Sequence, residues 1–169
     1  MPHEPLTSEA SISQRINAEK IALFFEQGAS ADDLLQAYIE SLEHVHEPST
    51  EMQPGDDLAL LAVYVTLAKS SSVENLIQAA AIASYACEKS ARAYKLRLLL
   101  IRLLLRLGCL KLAVYHFDAL ELKAVQLDTM PHYLLDRNAS FGGSHAADVG
   151  NHWEGGIKDF YELSAFEVP

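Results

Sequence analysis

Residues 89–137 read KSARAYKLRLLLIRLLLRLGCLKLAVYHFDALELKAVQLDTMPHYLLDR. Apolar residues recur at helical spacing on both sides of Gly108, which predicts two antiparallel helices around a tight turn. A polar linker then leads to a third helix. The first of the pair covers about residues 91–107. Its Leu and Ile side chains fill most of the circumference, which calls for neighbours on more than one side, as an inner helix of a solenoid has. The second covers about residues 110–122, with Leu112, Ala113, Tyr115, Phe117 and Leu120 as expected buried positions. No metal, phosphate or nucleophile motif interrupts the stretch.

Upstream, the same helical signal repeats. Residues 13–27 carry Ile16, Ile21, Phe24 and Phe25, and Gly28 offers a stop. Ser30-x-x-Asp33 resembles a capping box and opens a helix with Leu34, Leu35, Tyr38, Ile39 and Leu42 on its stripe. Residues 47–55 read as a loop. Asp56 or Asp57 is the expected cap of the next helix, residues 58–69, which is apolar all round and so predicted to be buried on several sides. Ser71-x-x-Glu74 reads as a capping box for residues 73–89. There Ala79, Ala80, Ala81, Ala83 and Ala86 let neighbouring helices approach closely. The turns fall near Gly28, Ser71 and Gly108, about 40 residues apart, the period of a two-helix solenoid unit. The last unit follows the second half of a tetratricopeptide repeat at Gly108, Ala113 and Phe117. Leu100 and Leu104 supply large positions of its first helix, while the repeat's usual Trp and Gly are missing. The predicted fold class is therefore all-α, a tetratricopeptide-like helical repeat of antiparallel helix pairs.

Beyond the pair, Asp128 reads as an N-cap with Pro131 in the first turn. The expected organisation is a flexible N-terminus at 1–12, a repeat domain at 13–140, a Gly-rich loop at 141–156 and a short terminal helix or tail at 157–169. At 169 residues, half of them hydrophobic, the chain suits one domain that buries about 70% of its unfolded surface.

The net charge of −10 argues against DNA and anionic membrane as partners. The charge is uneven: from Lys89 to Lys111 there are seven basic residues and no acid. Along the helix, Arg92, Lys95, Arg102 and Arg106 fall within an arc of about 80°, with Leu99 among them and Arg97 pointing away. This arc is the candidate partner-docking surface, suited to an acidic partner, a phosphate ligand or RNA. The plainer reading, which comes first, is a solvated face whose long stems cover apolar surface.

Other chemistry is faint. Cys87 and Cys109 lie in apolar helical patterns, which suggests buried thiols in a reducing compartment and leaves a disulfide open. His44 and His46 point about 200° apart on a helix. His116, His132, His145 and His152 lack ligand spacing, so surface or incidental histidines are expected and no metal site. No catalytic residue and no cofactor is expected. The N-terminus MPHEPLTSEA has no apolar h-region, and the apolar run at 96–107 is interrupted by three Arg. A cytoplasmic protein is the expectation.

The segment KLRLLLIRLLLRLGCLKLAVYHFDALELKAVQLDTMPHYLLDR resembles the auxiliary, non-catalytic subunit family of the N-terminal acetyltransferase B (NatB) complex. The matching pieces are the KLRLLLIRL helix, the Leu107-Gly108 turn, the K-x-V-Q-L-D-T segment at 123–129 and the L-L-D-R run at 134–137. The resemblance covers about 45 residues and extends back toward Asp57. It implies a tetratricopeptide-like superhelix wrapped around a separate catalytic acetyltransferase subunit. That subunit uses acetyl-CoA to modify N-termini beginning Met-Asp, Met-Glu, Met-Asn or Met-Gln. The auxiliary subunit would stabilise the enzyme and help its association with the ribosome. Family members are several times longer, so a partial or truncated relative is expected. The other readings are a generic helical-repeat adaptor that binds proteins through its concave face, and a small enzyme with an unrecognised site.

Overall fold

Ser8 starts the first helix. Its extended backbone (φ −158°, ψ 160°) lets its Oγ accept the Ser11 N–H at 3.2 Å, while Ser11 Oγ accepts the Ser8 N–H at 3.1 Å. The helix, α1, therefore spans Glu9–Phe24 and begins earlier than the apolar spacing alone predicts. The computed structural model describes residues 6, 8–44, 53–70, 72–121 and 133. It contains five further α-helices: α2 (Ala31–Ser41), α3 (Asp56–Lys69), α4 (Val73–Lys89), α5 (Tyr94–Arg106) and α6 (Leu110–Asp118). A single 3-10 turn, Leu42–His44, follows α2, and no strand occurs among the described residues. Most of the expected loop at 47–55, Asp128, and the segments 141–156 and 157–169 lie outside the described residues. Tyr133 is helical and packs against the core.

Caps decide where the helices begin. Ser30 and Asp33 form the reciprocal box read from the sequence, with Ser30 Oγ 3.2 Å from the Asp33 N–H. At α4 the cap is Ser72, whose hydroxyl accepts from Asn75 N–H, and not the expected Ser71–Glu74 pair. Three consecutive serines were available, and the register of the turn picked the third. At α3 neither Asp56 nor Asp57 is the cap. Gly55 holds that position without a side-chain bond, and Ser41 Oγ sits where a Cβ on Gly55 would go. Gly108 has φ +77°, the left-handed conformation that lets α5 stop and α6 turn back.

Each helix from α2 to α6 packs on the next, and α3 also touches α1 and α5. The even-numbered helices make no comparable contact with one another. The odd-numbered helices thus form one layer and the even-numbered ones pack against it, the arrangement of a helical repeat. This explains the all-round apolarity of α3, which buries Leu58, Ala59, Leu61, Ala62 and Val63 among four neighbours. Ala79, Ala80, Ala83 and Ala86 are buried on α4 and bring it close to its neighbours, whereas Ala81 is exposed. Leu96, Leu100, Ile101, Leu103, Leu104 and Leu105 of α5 are buried, each contributing about 1.5–3 kcal/mol of transfer free energy.

Two expected stripes differ from the observed ones. On α1 the buried line is Ile12, Ile16 and Glu19, with Leu23 half-buried, while Ile21, Phe24 and Phe25 face outward. Glu19 is held inside because its carboxylate pairs with Arg15 at 2.8 Å and accepts the Ala29 N–H at 3.0 Å. On α6, Leu110, Ala113, His116 and Phe117 are buried, followed by Leu120. Leu112 and Tyr115 are 47% and 64% exposed, against expectation. The helix also ends at Asp118 instead of near 122.

Candidate interaction surface

The basic arc is built on α5 by helical periodicity, with one exception. Arg92 lies in the turn before α5 begins, where its guanidinium donates to Tyr94 Oη. Lys95, Arg102 and Arg106 remain within an arc of about 40° on the helix, flanking the half-buried Leu99. Arg97 points the other way and is 7% exposed. Its Nη2 donates to Ala91 O at 3.4 Å, just past the C-terminal end of α4, and its Nε has no partner. No carboxylate pairs with it among the described residues; the negative end of the α4 dipole and this carbonyl offset its charge.

Lys95 and Arg102 differ in their surroundings. Asp57, at the start of α3, bonds Lys20 Nζ at 2.6 Å and meets Lys95 Nζ at 3.6 Å. One carboxylate thus ties α1, α3 and α5 across the odd-numbered layer. Burial alone would raise the Asp57 carboxyl, but Lys20 and then Lys95 hold it below the ordinary carboxylate value. Arg102 and Arg106 are exposed and make no ion pair or hydrogen bond among the described residues.

The neighbouring Asp56 is enclosed. Its Oδ2 accepts from Ser90 Oγ at 2.7 Å and from the Gln53 N–H at 3.1 Å, joining α3 to the end of α4. Burial raises its carboxyl above the usual value despite these bonds. Both cysteines are free thiols. Cys87 is buried, and desolvation pushes it up to about 11, so it stays protonated near neutral pH. Cys109 is exposed at the N-cap of α6, contrary to the expected burial, because the Gly108 turn lifts it off the core. His116, expected as a surface or incidental histidine, is buried on α6; desolvation, then Arg97, lowers its pKa. Among the described residues no cluster of three or more His, Cys, Asp or Glu is placed to hold a metal ion, and no helix is long and apolar enough to cross a membrane.

A register follows from the Asp57–Lys95 contact. Two helical turns onward in each helix lie Tyr64 and Arg102, and a further turn brings Ala68 and Arg106. Tyr64 is 52% exposed. Nothing in the sequence marks it, since its relation to the arc depends on packing between helices.

Two layers of stacked helices with a partly neutralised, partly open charged face define a helical-repeat scaffold, whose extended faces serve binding to other macromolecules. The family model of the N-acetyltransferase B complex (NatB) non-catalytic subunit matches residues 3–169, and the chain belongs to that family. Its role is therefore that of an auxiliary, non-catalytic component. Neither the curated proteins nor the solved structures contained a match to this chain.

Proposed function

We propose that this chain binds and stabilises the catalytic acetyltransferase subunit of a NatB-type complex through the odd-numbered layer, α1, α3 and α5. That partner acetylates N-termini beginning Met-Asp, Met-Glu, Met-Asn or Met-Gln, and the auxiliary component assists its association with the ribosome in the cytoplasm. The observation that carries this reading is the family match across residues 3–169. The layer supports it physically. The face carries Lys95, Arg102 and Arg106 with Arg92 at its edge, in a protein otherwise rich in acid. Opposite charges across a protein interface favour encounter and orientation more than raw affinity.

Co-purification tests the reading. The catalytic subunit, co-expressed with this chain, is expected to be retained on it and to show a higher melting temperature in the complex. A catalytic subunit that neither co-elutes nor gains stability would overturn the proposal.

A further inference from the structure

We propose that the anchoring point of this face is the end formed by Tyr64, Arg102 and Arg106, and that its occupant is an acidic helical segment of the catalytic subunit. The segment carries two carboxylates one turn apart beside an apolar side chain. This rests on the reading of the chain as a NatB auxiliary component.

The face is not uniform along its length. At the start of α3 and α5, Asp57 already answers Lys20 and Lys95, so a docking carboxylate gains little there. At the other end the chain supplies no acid to Arg102 or Arg106 among the described residues. These two side chains lie four residues apart, about 6 Å between Cβ atoms, which matches carboxylates at i and i+4 on a partner helix. Lys69 is exposed in the last turn of α3, at the same end of the layer, and adds positive charge with no ion pair among the described residues. Tyr64 lies seven residues past Asp57, as Arg102 lies seven past Lys95, and its 52% exposed ring is the kind of side chain that anchors interfaces. Half-buried Leu60 and Leu67, one turn to either side of Tyr64 on α3, and Leu99 on α5 add apolar surface. Charge pairs beside a desolvated aromatic gain strength as water leaves.

Arg106 and Lys69 also sit in last turns, where the helix dipole favours cations, so their presence alone proves nothing. Arg102 lies a full turn earlier, and its charge has no such local reason. It is therefore the discriminating residue.

The test uses the complex of this chain with the catalytic subunit. Titration at low salt is expected to show roughly tenfold weaker binding for Arg102→Gln with Arg106→Gln, and a clearly smaller loss for Lys95→Gln, whose ammonium Asp57 already answers. Helical circular dichroism of the variants reports that they fold. A photo-crosslinking benzoylphenylalanine at position 64 is expected to capture a catalytic-subunit peptide with two acids at i, i+4 spacing. If the wild-type complex forms but is indifferent to the arginines, or the captured peptide lacks acids, this inference falls and the scaffold reading stands. If the wild-type chain forms no complex, both fall.

Discussion

At the scale of single residues, Arg97 is the clearest conflict between chemistry and place. A guanidinium sits in the core between α4, α5 and α6 with one long hydrogen bond and no carboxylate among the described residues. Desolvating an ion costs several kcal/mol, and an apolar side chain of similar volume avoids that cost. Arg97→Met is expected to leave stability within about 1 kcal/mol of the wild type or to raise it. Arg97→Ala leaves a cavity and is expected to lose about 2 kcal/mol or more. Urea denaturation of the two variants checks the ordering, and a Met variant much weaker than the Ala one would contradict it. The inward direction of Arg97 was legible from 100° arithmetic alone. Its lack of a partner was not, because that depends on what α4 and α6 bring to the same place.

Among elements, the instructive contrast is α2 against α1. Ser30 and Asp33 announced the start of α2 because both halves of the capping box are local. The phase of α1 is hidden in the sequence because the bulkiest residues, Ile21, Phe24 and Phe25, lie on the outer face, while a charged residue, Glu19, lies on the inner one. Only the loop that folds back to place Ala29 N–H against Glu19 reverses the expected order. The same limit applies to the candidate site. The cationic stripe was readable on α5 by itself, but its division into a neutralised and an open end required Asp57, 38 positions before Lys95. That bridge has a pH signature. The Asp57 carboxyl titrates lower in the folded chain than in the unfolded one, so its stabilisation is present above its unfolded pKa. It fades as the pH falls through the folded value, below about pH 4. Asp57→Asn is expected to cost about 1 kcal/mol or less near pH 7, since Lys20 and Lys95 are 46% and 64% exposed, and to cost progressively less as the pH falls below about 4. Thermal melts of both proteins across this range provide the measurement; a difference that grows toward acid would contradict the assignment.

For the whole molecule, the distribution of exposed apolar surface matters more than its amount. Phe24 is 82% exposed and stacks edge-on with Phe25, and Ile21 lies one turn before them on the same outer side of α1. Gln14, Asn17 and Ala18 share that side, so no charged residue interrupts it. A repeat protein keeps the surface it shows to water largely polar, and this side of α1 is not. The net charge of −10 opposes contact between two copies over most of their surface, but this face carries no acid to repel its like. Weak, concentration-dependent self-association through α1 is therefore expected, and it should strengthen with salt as the general repulsion is screened. Light scattering across a dilution series at low and high salt measures it. Phe24→Ser with Phe25→Ser is expected to return the mass to that of a monomer while the helical signal is kept, because neither side chain belongs to the core. A wild-type chain that stays monomeric at high concentration and high salt would show that the uncharged face of α1 does not associate with itself.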